Sequence, residues 1–363
     1  MIGRDSGHKW VKEQYSGREV LITGGLGFLG SNLAIRLSAL GASVTVVDAL
    51  VRGCGGNPYN LAPLEGRVRV IHSNIAAPRR LREVIRGAGI IFNLAGEVSH
   101  IHSVRFPKRD ALLNATAQLN FLEECSRTAP GIRVVYAGTR QIYGIPRYLP
   151  VDEDHPVCPV DFNGIHKYAA VMYHLLYARM STLDAVVLNL TNLYGPRMAL
   201  SVPCQGFLAN FLRKLLIGER LEVFGDGRQL RDPVYVDDAV DGLLAAGAAE
   251  QLLSRMYNLG GPEPLAIGRI AEIASRLAGL EPPLLRPFPP ERKVIDIGSY
   301  YADTNRIRRE LGWAPRVQFE DGLQRTLTFY GEELHHYLPS GGEEPHCQLD
   351  TFVPQKPQTV AVR

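Results

Sequence analysis

Hydrophobic positions along the chain fall into short runs separated by stretches with helical spacing. Glu19–Thr23 (EVLIT) is an apolar run stopped by glycines, the pattern of a buried parallel strand. From Gly27 to Leu40 apolar side chains recur at helical intervals, and Gly41 follows as a C-cap. Ser43–Asp48, Val68–His72 and Ile90–Leu94 read as three more strands. A helix over Lys108–Arg127, a strand at Arg133–Ala137, a helix over Asn163–Met180 and a strand at Ala185–Leu190 continue the alternation. Such alternation predicts βαβ units in an α/β fold, a Rossmann-type doubly wound parallel sheet.

Beyond Asn192 the pattern changes. Prolines and glycines increase, strands shorten, and helices over Gly206–Ile217 and Asp237–Glu250 intervene. This predicts a smaller C-terminal substrate-binding lobe over the ends of the sheet, where open α/β folds bind ligands. The expected boundaries are a polar leader at 1–17, the sheet domain at 18–191 with later segments returning to it, the lobe mainly at 192–335, and a flexible tail at 336–363.

Composition narrows the classes. Of 363 residues 45% are hydrophobic and 21% charged, enough apolar surface to exclude disorder as the main state. Lys+Arg 40 against Asp+Glu 37 gives +3 with no long basic run, which argues against a dedicated nucleic-acid binder. Cys54, Cys125, Cys158, Cys204 and Cys347 are scattered without a CxxC pair, so reduced thiols are expected rather than a zinc ribbon or disulfide framework. Asp237-Asp238 open a predicted helix, where carboxylates suit the N-terminus, and no metal site is expected. Met1–Gly17 lacks the apolar core of a signal peptide, and no run approaches the ~20 residues of a membrane span. The expected location is cytoplasmic, with no membrane partner.

The candidate chemistry begins at Thr23-Gly24-Gly25-Leu26-Gly27-Phe28-Leu29-Gly30, between the first strand and the first helix. In that context glycines permit a tight turn and let backbone N–H groups approach a pyrophosphate at the helix N-terminus. An acidic residue ~20 positions on holds the adenosine ribose. Asp48 lies at the tip of the second strand, 18 residues after Gly30. Its carboxylate accepts ribose hydroxyls and repels a 2′-phosphate, so NAD is expected over NADP.

These motifs do not stand alone. Asn93-Leu94-Ala95-Gly96, Lys167, Asn192-Leu193-Tyr194-Gly195-Pro196-Arg197, the segment Gly225–Asp232, Tyr235-Val236-Asp237-Asp238 and Leu311-Gly312-Trp313-Ala314-Pro315 follow in order. Over about residues 18–335 the chain resembles the extended short-chain dehydrogenase/reductases, and within them the NAD-dependent epimerase/dehydratase family of nucleotide-sugar enzymes. The resemblance implies tightly held NAD, a nucleotide-diphosphate sugar as substrate and a homodimer. It assigns cofactor contacts to Gly24, Gly27, Phe28, Leu29, Gly30 and Asp48. Further contacts fall on Asn74, Ile75, Leu94, Ala95, Gly96 and Lys167. It places Thr139 beside the reacting oxygen and puts His100 and His102 in the sugar pocket. Asn192, Arg231 and Arg292 are assigned to the substrate. Guanidinium forks suit phosphate oxygens.

One position departs from the pattern. Lys167 lies in Asn163-Gly164-Ile165-His166-Lys167, where the family reads Tyr-Gly-x-Ser-Lys, so Asn163 occupies the place of the catalytic tyrosine. An amide has no ionisable proton and cannot act as the general base. His166 is the first candidate to replace it, with His100, His102 and Tyr143 next. The dehydratase branch carries Asp-Glu after its Thr; here the pair is Arg140-Gln141, which disfavours 4,6-dehydration. The expected function is a UDP-glucose 4-epimerase-like sugar epimerisation through a transient keto intermediate. The alternatives are a nucleotide-sugar dehydratase or reductase, or a catalytically silent protein that binds NAD and a nucleotide sugar.

Overall fold

The structure, a computed structural model, describes residues 12–202, 206–289, 293 and 296–338. Arg292, Cys204, Cys347, the first residues of the leader and the tail from 339 lie outside the described residues. Seven strands form one parallel sheet: β1 (Glu19–Thr23), β2 (Ser43–Asp48), β3 (Arg69–His72), β4 (Ile90–Asn93), β5 (Arg133–Thr139), β6 (Asp184–Leu190) and β7 (Met256–Leu259). Their spatial order is β7-β6-β5-β4-β1-β2-β3. Every pairing in it is parallel. The chain leaves β1 toward β2 and β3, then crosses back to β4 on the other side. That reversal opens a crevice at the carboxyl ends of β1 and β4, where doubly wound sheets take ligands.

The helices are α1 (Phe28–Ala39), α2 (Arg82–Gly87), α3 (His100–Arg105), α4 (Pro107–Ala111), α5 (Ala117–Thr128), α6 (Phe162–Arg179), α7 (Phe207–Leu216), α8 (Val236–Ala248), α9 (Ile267–Leu277), α10 (Asn305–Leu311) and α11 (Phe319–Glu333). One apolar cluster joins α1 and α8 to one sheet face through Leu33, Leu37, Val46, Phe92, Val240 and Leu244. Another packs Phe121, Leu122 and Ile85 against Leu21, Ile91 and Val134 on the other face. A separate cluster, with Leu212, Phe211, Ile270, Phe319 and Leu323, forms the core of the C-terminal lobe.

Three expectations need correction. The helix over Lys108–Arg127 is broken by a π-helical turn at Leu112–Thr116. Such a turn inserts an extra residue, and here it carries buried Asn114, whose Oδ1 accepts the Glu97 N–H at 3.0 Å. The leader is docked by its end: Tyr15 is buried and donates to the Leu244 carbonyl. Residues 336–338, expected within a flexible tail, are docked: Tyr337 is buried and donates to Asn60 Oδ1 at 2.8 Å. Tyrosine hydroxyls that find acceptors let these segments bury their rings.

His174 on α6 is fully buried, stacked on Tyr136 with centroids 4.1 Å apart. Its Nδ1–H donates to the Ala170 carbonyl and its Nε2 accepts from Asn93 Nδ2. Burial holds its pKa down at about 4, against 6.5 for a free imidazole. Because the native ring binds its proton less readily than the unfolded one, this contribution is full above pH 6.5 and is lost as pH falls to about 4. We expect urea denaturation between those limits to show a loss of about 3 kcal/mol, at ~1.4 kcal/mol per pH unit, which His174→Gln flattens.

Candidate active site

The crevice opens into a cleft of about 890 Å³, within the range of cofactor and ligand sites. Its floor is the glycine turn between β1 and α1. Gly24 has φ +69°, and a Cβ there would stand 2.9 Å from the Ala95 backbone. Gly30 leaves no room for a side chain against the Gly24 carbonyl. The α1 N-terminus, capped at Gly27 without a side-chain partner, therefore faces the cleft with its backbone donors. Asp48 is braced by the Leu26 N–H at 3.0 Å and the Leu50 N–H at 2.8 Å, one on each carboxylate oxygen. Each oxygen keeps a lone pair for a ribose hydroxyl. Phe28, Leu29, Asn74, Ile75, Leu94, Ala95 and Gly96 line the same end.

Lys167 enters from α6. It is buried, and no hydrogen bond or ion pair to a described residue occupies its ammonium. Burial lowers its pKa, opposed by the charges of Asp110, Glu97 and Cys54. A Cβ at Gly96 would stand 2.8 Å from Asn114 Oδ1 and 3.3 Å from Lys167 Nζ, so the glycine leaves room for both side chains here. A buried ammonium without an acceptor beside a glycine turn fits the ribose hydroxyls of a dinucleotide. Asp48, the turn and Lys167 are the residues that would hold NAD.

Asn163 stands four residues before Lys167, on the same face of α6. It is fully buried and lines the cleft. Its Nδ2 donates to the Glu97 carbonyl at 3.1 Å and to Asp110 Oδ2 at 2.9 Å. Both partners only accept, so they fix the amide with Oδ1 left unpartnered. The side-chain oxygens of Gln141 and Asn192, also on the cleft wall, are likewise buried without partners. Three such acceptors suit a ligand rich in hydroxyls.

The candidate proton carriers separate cleanly. Tyr143 is in the core, donating to Asn258 Oδ1 at 2.7 Å and accepting from Asn189 Nδ2. Burial raises its pKa. His166 points away from the cleft, with Nδ1 2.7 Å from Asp110 Oδ1. His102 packs edge-on to Phe106 and is not part of the cleft wall. These three were expected at the reacting centre, and the structure removes them from it. The reason is helical phase: His166 is adjacent in sequence to Lys167 but rotated about 100° from it.

His100, at the start of α3, does line the cleft, together with Thr139, Gln141 and Lys167. Its Nδ1 lies 2.5 Å from Asp161 Oδ2, while Gln141 Nε2 contacts its Nε2. Asp161 caps α6, its other oxygen accepting the Gly164 N–H at 2.7 Å. Burial pushes Asp161 up, but the hydrogen bond and charge of His100, the Gly164 N–H and the charge of Arg140 outweigh it. The result is a carboxyl held below its ordinary value. An ionised carboxylate on Nδ1 orients the imidazole with Nε2 as the acceptor. Asp161 and Arg140 escaped the sequence reading as site residues. The N-cap position of Asp161 was a visible signal, but its partner 61 residues away was not.

Arg231 lines the lobe side, its Nη1 donating to the Leu230 and Gly298 carbonyls. Among the described residues no group of three His, Cys, Asp or Glu is placed to hold a metal, and no helix is long and apolar enough to cross a membrane.

Asp110 is the brace of this arrangement, 2% exposed and bonded to both Asn163 and His166. Asp110→Ala is expected to lower stability in urea by about 1–3 kcal/mol, the cost of leaving the buried Asn163 amide without this acceptor, with a smaller loss from the partly buried His166.

Residues 20–260 match the NAD dependent epimerase/dehydratase family. A UDP-glucose 4-epimerase of Mycolicibacterium smegmatis is 31% identical over 85% of this chain and 97% of its own length. A dTDP-glucose 4,6-dehydratase of Streptomyces niveus is 31% identical over 88% of this chain and 95% of its own. The crystal structure of a UDP-glucose 4-epimerase of Thermotoga maritima with UDP-glucose superposes with a TM-score of 0.78 at 29% identity, covering 87% of this chain and 99% of that one. With the switch-point cleft, the glycine turn and Lys167 in place, the chain belongs to the NAD-dependent epimerase/dehydratase family.

Proposed function

We propose that the chain epimerises a nucleotide-diphosphate sugar through a transient keto sugar, with His100 as the proton carrier in place of the family tyrosine that Asn163 replaces. The observation that carries this reading is the His100–Asp161 pair on the cleft wall beside Thr139 and Lys167. NAD, when bound, supplies hydride acceptance and return at the sugar carbon. His100 Nε2 takes the proton of the reacting hydroxyl, and Asp161 stabilises the imidazolium that results. Thr139 donates to the same oxygen. Gln141 must turn aside for the hydroxyl to reach Nε2. When the carbonyl is reduced on its other face, His100 returns the proton.

Epimerisation is favoured over elimination because neither Arg140 nor Gln141 can serve as the acid or base that loss of water needs. The names of two epimerase relatives support the same choice. Homodimerisation accompanies this reading. Ile165, Met172 and Leu176 are each about half exposed along one stripe of α6, beside exposed Leu112 in the π-helical turn and Leu119 on α5, a face suited to a second copy.

The test is a panel of nucleotide sugars with products followed by NMR in deuterated water. Inversion at a carbinol carbon without loss of water is expected; loss of water, or binding without turnover, would overturn the reading. His100→Asn should lower kcat by about 10² or more while NAD binding persists, whereas Lys167→Ala should weaken NAD binding by calorimetry. Asn163→Tyr should bring no gain in turnover, because in this reading His100 carries the proton, and the acceptors Glu97 and Asp110 are placed to hold an amide. Met172→Arg with Leu176→Arg should convert a dimer to a monomer in light scattering.

A further inference from the structure

Arg140 is a cation for which the described residues provide no anion. It follows Thr139 at the end of β5 and lines the cleft between Thr139 and Gln141. No hydrogen bond and no carboxylate within ion-pair distance engages its guanidinium among the described residues. It lies over the Tyr300 ring, 5.1 Å from the centroid. Burial disfavours its charged form.

Of the charged groups around it, Asp161 and Asp296 are committed elsewhere, and Asp232 keeps a buried Oδ1 without a partner but lies outside ion-pair distance of the guanidinium. Asp161 is bound to His100 and Gly164. Asp296 accepts from Gln229 Nε2 and the Gly298 N–H. Asp232 accepts the Ala302 N–H, and burial raises its pKa to about 7. Arg231 has its own carbonyl partners and suffers the repulsion of Arg140. A partly desolvated fork with its N–H groups unmet calls for a planar, bidentate anion.

We infer that Arg140 is a carboxylate-binding subsite for the sugar, so that the preferred substrate is a nucleotide-diphosphate uronic acid. This rests on the nucleotide-sugar reading above. Position decides for the sugar over the diphosphate. Arg140 adjoins Gln141, whose amide touches His100 Nε2, and His100 acts on the reacting hydroxyl. In a hexuronic acid the carboxylate hangs from C5, the ring neighbour of C4. A C4 hydroxyl at His100 therefore places the carboxylate within a residue's reach, at Arg140. A neutral hydroxymethyl group in that place leaves the guanidinium without its acceptor, and sites built for a polar partner reject analogues that lack it.

The experiment uses the protein with NAD and matched pairs of glucuronate and glucose carried on UDP, dTDP, GDP and CDP, with each free nucleoside diphosphate as control. Binding is read by calorimetry and turnover by NMR. On the nucleotide that binds, the uronate should bind about 10- to 100-fold more tightly than the glucose form. Arg140→Met should erase that preference and leave affinity for the free diphosphate unchanged, and Arg140→Lys should restore only part of it. Equal or tighter binding of the glucose form would overturn the inference. So would a variant that weakens the free diphosphate as much as the uronate, which would make Arg140 a phosphate ligand. If no member of any pair binds, the nucleotide-sugar reading itself fails, and this inference with it.

Discussion

Asn93 is buried at the carboxyl end of β4, and its amide must find partners on every side. Its Oδ1 accepts from Thr23 Oγ1 at 2.7 Å across the switch point, and its Nδ2 reaches Gln118 on α5 and His174 on α6. Thr23 Oγ1 in turn accepts the N–H groups of Leu94 and Ala95. One satisfied polar network thus ties together the two strands that part to form the cleft and the two helices that wall it. A buried network of this kind specifies a single arrangement because any partial version leaves a desolvated donor or acceptor. The glycine turn, Gly96 and Lys167 all take their positions from that anchored corner.

The second tier of the site is built from carboxylates that orient the residues on the cleft wall. Asp110 orients Asn163, which leaves the amide Oδ1 turned from these acceptors on the cleft wall. Asp161 caps α6 with one oxygen and orients His100 with the other. The helix that carries Lys167 and Asn163 is therefore registered by the same carboxylate that orients His100. A proton carrier on α3, as proposed for His100, leaves the lysine, the glycine turn and the sheet unchanged.

Much of this was legible in local order. Strand, glycine turn and helix follow one another within Glu19–Ala39, and the chemistry of that unit is set by residues a few positions apart. The parallel sheet follows from helices lying between successive strands, since parallel neighbours need a crossover. The pairing of Asn163 with Lys167 follows from helical repeat, which puts positions four apart on one face.

What the sequence by itself determined is the set of elements, their order and the faces that residues within one element share. Only the tertiary structure decided which face meets the cleft and what waits there. His166 and Lys167 are neighbours in sequence, yet one turns to Asp110 and the other to the cofactor end. Tyr143 fits the motif and still lies sealed against Asn258. His100 becomes a candidate base through Asp161, and Arg140 a proposed anion site because no carboxylate among the described residues stands within ion-pair distance of it. Local spacing carries no information about such pairings. They join residues tens of positions apart, and they are settled when apolar packing brings α3, α6 and the end of β5 together and each buried polar group takes the partner within reach.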